Sequence, residues 1–257
     1  MTPPPADHAL LEEAVAIARE AGALTLRWFD SSDLVVDRKG DGTPVTDADR
    51  SAERLIRERI ATSHPIDAVL GEEEAPKAGT SGQRWIIDPI DGTKAFTQGV
   101  PLYSTLVAVE DEHGPAIGVI ELPALGETVW AGRGLGCFRN GTPARVSDRD
   151  GLTGSYLTTS GFDYWPEAQL EAVRGSGLLM RTWGDGYGYA LVATGRAEVM
   201  VDHVVEPYDV AAMPVILAEA GGRFSDHDGV TRIDGGSGIA TNGHLHDHVL
   251  AILKSTA

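Results

Sequence analysis

IIDPIDGTKAF, residues Ile86–Phe96, sets two aspartates three apart around a proline, directly after an apolar run. Asp and Pro are poor residues for the middle of a strand, and a polar turn needs no particular acid at both ends. The pattern points to a demand for both carboxylates. Asp88 has two oxygens with which to bridge a pair of cations. Pro89 is expected to fix a turn that aims the Ile90 carbonyl inward as a further ligand, and Asp91 serves the second cation. Gly92 and Thr93 then open a short helix whose first N–H groups face a phosphate.

Two more acids stand where an apolar segment meets a loop or a helix start: Glu72 in GEEE and Asp209 in EPYDVAA. Such strand ends are where active sites of α/β sheets gather. Carboxylates brought together there raise one another's pKa and destabilise the fold. A hard divalent cation removes the problem. Mg²⁺ prefers oxygen ligands and pairs protein carboxylates with substrate phosphate. Asp49, in VTDADR, opens a helix. A carboxylate accepting from the Thr93 hydroxyl orients that hydroxyl and, through it, a water made acidic by the metal. Local sequence does not bring Asp49 and Thr93 together.

The 257 residues suit one large domain or two modest ones. A formal charge of −17 argues against nucleic acid or an anionic membrane as partner. The single cysteine, Cys137, excludes an intrachain disulfide and a Cys-rich metal site, and reads as a small buried hydrophobe. The N-terminal stretch lacks a basic n-region, and no window reaches the ~18–20 apolar residues of a membrane span. A cytoplasmic protein is expected.

Leu10, Leu11, Ala14, Val15, Ala18 and Ala21 recur at helical spacing behind Asp7, a candidate N-cap. An extended arm follows, with a turn at Asp41-Gly42, and helical period returns through Ala52, Leu55, Ile56 and Ile60. AVLG and QRWII read as strands, and residues 103–141 as an antiparallel meander. Beyond residue 147 strand and helix alternate, as in an α/β half. The expected division is an α+β metal and phosphate domain, 1–147, and an α/β substrate-capping domain, 148–257. Pro214 falls inside the helix predicted from Asp209, where it is expected to kink the first turns.

PVTDAD, GEE, WIIDPIDGTKAFTQGVP, GVIELPALGETVWAGRGLGCFRNG and EPYDVAAMPVILAEAGG, in that order, resemble the inositol monophosphatase superfamily of metal-dependent phosphomonoesterases. The resemblance implies a layered α/β/α/β/α sandwich, a homodimer, and two or three Mg²⁺ per site. It implies metal ligation by Glu72, Asp88, the Ile90 carbonyl, Asp91 and Asp209. It implies water activation by Glu72, Thr93 and Asp49, and a small phosphorylated substrate held at Asp91, Gly92 and Thr93. Segment 181–212 resembles the histidinol-phosphate phosphatase branch. It places Asp185 where inositol phosphatases carry a small residue, and Asp202 at a substrate-contacting acid. An acidic rim of Asp185, Asp202 and Glu206 favours an amine- or imidazolium-bearing substrate, so L-histidinol phosphate is the expected one. The alternative reading of Asp185 is a helix N-cap, and Lys94 reads as a phosphate-side charge or a solvated one.

The rivals are an inositol-1-phosphate or broad sugar-phosphate phosphatase, and a noncatalytic divalent-cation binder, which has no need of Thr93 and Asp49. No basic groove for the second phosphate of a nucleotide bisphosphate is evident. His244, His246 and His248 alternate on a predicted helix behind Asn242, its expected N-cap, and read as solvated. Glu73 and Glu74 read as solvated loop acids, and Arg181 and Trp183 as strand residues near the site entrance.

Overall fold

The computed structural model describes residues 3–31, 36–38 and 44–255. The expected turn at Asp41-Gly42 lies outside them. Helix α1 (His8–Thr25) begins as predicted: the Asp7 carboxylate accepts the Ala9 N–H at 2.8 Å, and all six periodic apolar residues are buried. Strands β1 (Val36–Arg38) and β2 (Pro44–Thr46) form an antiparallel pair leading into α2 (Asp47–Ser63).

A seven-stranded sheet follows in sequence order: β3 (Ala68–Gly71), β4 (Arg84–Asp91), β5 (Ser104–Asp111), β6 (Gly114–Leu122), β7 (Glu127–Gly132), β8 (Gly136–Arg139) and β9 (Thr142–Pro143). β3 and β4 pair in parallel. From β4 onward every pairing is antiparallel, the predicted meander. α3 (Thr93–Thr97) interrupts the chain between β4 and β5. The second sheet has five strands: β10 (Tyr156–Thr158), β11 (Leu179–Arg181), β12 (Val199–Asp202), β13 (Arg223–Ser225) and β14 (Gly238–Thr241). Their spatial order is β11-β10-β12-β14-β13. Among them run α4 (Glu167–Gly175), α5 (Asp185–Ala193), α6 (Pro207–Val210), α7 (Met213–Ala220) and α8 (His246–Lys254).

Strand alternation builds the layers. On β4, Trp85 and Ile87 join α1 and α2 in one core, while Ile86 faces α5 and α7 in the next. On β12, Met200 faces that same middle layer, whereas Val199 and Val201 pack against α4 and α8. The stack is therefore α1/α2, large sheet, α5/α7, small sheet, α4/α8, the expected α/β/α/β/α sandwich. Cys137 is buried in the middle layer, and its burial pushes the thiol up to about 12.

Four expectations need correction. Pro89 makes no turn. β4 continues through it with a bulge, because Asp88 pairs Leu106 and Asp91 pairs Ser104, leaving one extra residue on β4. A bulge tolerates the missing proline N–H, and the Pro89 carbonyl accepts the Thr105 hydroxyl at 2.8 Å. Pro214 kinks no continuous helix. The chain breaks at Ala211–Ala212, and Pro214 sits in the first turn of α7, where no N–H is needed. Asn242 does not cap α8 itself, whose N-cap is Leu245, although its Oδ1 accepts the Leu245 N–H at 3.3 Å. His246 is not solvated. It is 0% exposed, with its ring nitrogens 2.9 Å from Ser225 Oγ and 3.0 Å from Thr241 Oγ1, while His244 and His248 are exposed. Arg181 closes β11, and Trp183 lies two residues past its end.

Candidate functional site

Because β3 and β4 run parallel, their C-terminal ends reach the same edge of the large sheet. Glu72 follows β3 directly, and the bulged end of β4 carries Asp88 and Asp91. The first turn of α6 adds Asp209. Ligand oxygens of Asp88, Asp91 and Asp209 all lie within 4.8 Å of one another. Glu72 stands beside the triad, near enough to push up the carboxyls of Asp88, Asp209 and Asp49. Burial and then neighbouring acids hold Asp88 and Asp91 well above the ordinary carboxylate range. Burial raises Asp209 to about 7.

Each triad member spends one oxygen on the protein. Asp91 Oδ2 accepts the Ser104 hydroxyl at 2.8 Å and the Gly186 N–H. Asp209 Oδ2 accepts the Glu206 N–H at 2.8 Å, and Asp88 Oδ1 accepts the Ile90 N–H at 3.1 Å. The Ile90 carbonyl accepts the Thr93 hydroxyl at 3.0 Å. Asp49 closes a capping box, its Oδ2 taking the Thr46 N–H at 2.8 Å and hydroxyl at 2.5 Å. The expected Asp49–Thr93 bond is thus replaced by two local ones. Asp49 Oδ1 is left buried without a partner, a costly state that calls for an occupant. Hard oxygen donors with crowded charge and a bare buried oxygen fit a divalent cation and its waters.

Gly92 caps α3 at φ 84° and makes no side-chain hydrogen bond there. The Asp185 carboxylate leans on it: a Cβ at Gly92 would lie 3.0 Å from Asp185 Oδ2. Asp185 is the first residue of α5, at φ 52°, and Gly184 is the N-cap without a side-chain bond. The capping alternative for Asp185 therefore falls. Its N–H donates to Ser160 Oγ at 2.8 Å. Burial raises its carboxyl, and Lys94 partly offsets that. Asp202 lies behind this layer, 7% exposed, accepting the Ser160 N–H at 3.0 Å and the Tyr189 hydroxyl at 3.1 Å. Burial and then Asp185 push it up to about 7.

Ser104, Ser160, Tyr189 and Gly186 are the contributors that sequence reasoning missed. Only Gly186 left a signal, a glycine within a helical pattern, which marks close backbone approach. A Cβ there would meet Ser104 Oγ at 2.2 Å and Asp91 Oδ2 at 2.8 Å. Gly186→Ala is expected to destabilise the chain by about 1–3 kcal/mol through overpacking and to lower phosphatase activity as Asp91 shifts. Denaturant melts and phosphate release check both effects. Unchanged activity would show that Asp91 tolerates displacement.

An acid cluster beside the start of a short helix suits cation-assisted phosphoryl chemistry, and the family and relatives that the chain matches make it a phosphoric monoester hydrolase. The chain belongs to the inositol monophosphatase family, whose model matches residues 7–256. It is 44% identical to a histidinol-phosphatase of Chlorobaculum parvum over 90% of this chain and 91% of that one. It is 40% identical to a histidinol-phosphatase of Mycobacterium tuberculosis over 96% and 99%. The solved extragenic suppressor protein suhB from Bartonella henselae superposes with a TM-score of 0.90 at 30% identity, covering 97% and 100%. Among the described residues, no helix is long and apolar enough to cross a membrane.

Proposed function

We propose that this chain hydrolyses L-histidinol phosphate to L-histidinol and phosphate, with two or three Mg²⁺ held by Glu72, Asp88, the Ile90 carbonyl, Asp91 and Asp209. When bound, the cations supply Lewis acidity to the ester and its attacking water. The chain's own groups orient the reactants. N–H groups from Gly92 and Thr93 receive the phosphate oxygens. Asp49, fixed by Thr46, offers its bare Oδ1 to the water or the Thr93 hydroxyl, and Glu72 aims that water at phosphorus. Asp185 pairs the cationic end of the substrate, while Asp202 holds Ser160 beneath it. In this reading 1–147 is the metal and phosphate half and 148–257 the substrate-capping half. The active form is a homodimer in the cytoplasm.

The observation that carries the substrate assignment is the Asp185 carboxylate packed against Gly92, beside the phosphate cradle. A neutral polyol gains little from an anion there, whereas an amine or imidazolium gains a charge-assisted bond. Loss of such a bond costs about 1.5–3 kcal/mol, or ~10- to 100-fold. Asp185→Ala is therefore expected to lower kcat/KM for histidinol phosphate by that factor and to leave inositol 1-phosphate turnover nearly unchanged. Equal losses on both substrates would reduce Asp185 to a structural residue.

A further inference from the structure

We propose that Glu53 is a positioning residue that fixes Glu72 against Asp49, so that α2 registers both. The inference rests on the reading of Glu72 as a cation ligand. Asp49, Glu53 and Arg57 follow one another at four-residue steps and so share one face of α2. Glu53 is 0% exposed. Its Oε2 accepts the Glu73 N–H at 2.7 Å, and its Oε1 accepts the Glu74 N–H at 3.0 Å and Arg57 Nε at 2.8 Å. Arg57 Nη2 donates in turn to the Glu74 carbonyl at 3.0 Å. The backbone just after Glu72 is thereby tied to α2.

The residue just before Glu72 touches the same carboxylate. A Cβ on Gly71 would lie 2.2 Å from Glu53 Oε1 and 2.6 Å from its Cδ, so only glycine admits the contact. Glu72 is thus gripped on both sides by one buried side chain. One turn earlier on the same helix, Asp49 holds its bare oxygen and feels the Glu72 charge. A buried carboxylate is costly unless paired, and here Arg57 and two N–H groups pair it. Glu73 and Glu74 are consequently anchored through their backbones, while the Glu74 side chain is exposed. Groups that orient a metal ligand typically change metal affinity by about 10- to 100-fold when removed.

The test is Mn²⁺ affinity, read by electron paramagnetic resonance on the full chain, for wild type, Glu53→Gln, Glu72→Gln and the double variant. Glu53→Gln is expected to weaken Mn²⁺ binding about tenfold. In the Glu72→Gln background the same change should cost less than about twofold, because a residue acting through another is non-additive. An undiminished tenfold loss there would mean that Glu53 acts by its charge or by general stability, and would overturn the inference. Gly71→Ala changes no charge and should weaken Mn²⁺ binding comparably. It carries the same cycle if Glu53→Gln does not fold. Unchanged affinity in Gly71→Ala would also overturn the inference. Unchanged affinity in Glu72→Gln would instead remove Glu72 from the ligand set, and the Glu53 role with it.

Discussion

Asp91→Asn and Asp209→Asn are each expected to lower phosphate release by about 1000-fold, the factor corresponding to ~4 kcal/mol of lost transition-state stabilisation by a cation. Neither should unfold the chain. An asparagine oxygen can still accept the Ser104 hydroxyl and Gly186 N–H at position 91, or the Glu206 N–H at position 209. What the substitution removes is one charge from three acids whose ligand oxygens lie within 4.8 Å. In EDTA, each variant should therefore melt above wild type near neutral pH. The pairing of lost turnover with gained metal-free stability is the signature of acids gathered for a cation. Variants that lose activity and melt lower would mark the aspartates as ordinary structural residues.

The second large effect is the pH dependence of metal-free stability. Burial and then neighbouring acids, Glu72 first for Asp88 and Asp185 first for Asp91, raise these two carboxyls well above the usual range, and burial raises Asp209 to about 7. Unfolded aspartates ionise near 3.9. Folded pKa values above unfolded ones mean that the native state binds more protons. This contribution is fully present below about pH 4 and is lost as pH rises through the folded values. Buried and half-buried histidines act in the opposite sense. His203 and His246 fall to about 4, and burial lowers His227 too. They add stability as pH rises toward 6.5, then level off. The informative window is accordingly about pH 6.5 to 8. There, melting temperature in EDTA is expected to fall with pH, and Mg²⁺ should restore it by binding the deprotonated acids. A flat or rising profile in EDTA would contradict the crowding.

Much of this was legible in the residues. The Asp7 cap and the buried stripe of α1 are local, as are the meander's turn residues and the acids at strand ends. Helical and strand periods read out correctly because each is set within a few residues. The bulge at Pro89 was not legible. A turn and a bulge place the same Asp-Pro-Ile-Asp string, and the difference lies in the register with β5, some fifteen residues on. Asp49 stands out in the sequence, but its hydrogen-bond partner does not, because a capping box at Thr46 competes with any distant hydroxyl. Asp202 was expected on the rim, yet Ser160 and Tyr189 claim both its oxygens. His246 alternates with two exposed histidines, and only the packing of α8 against β13 and β14 buries it. Glu53 looked like one more charge on a polar helix face. Its burial depends on Gly71 and the chain beyond, which come from another element.

Anomalous X-ray scattering from crystals grown with Mn²⁺ tests the convergence of these acids most directly. Peaks coordinated by carboxylate oxygens of Asp88, Asp91 and Asp209, with Glu72 and the Ile90 carbonyl completing the set, are the expected result. Mn²⁺ bound away from that sheet edge while the enzyme retains metal-dependent turnover would contradict it.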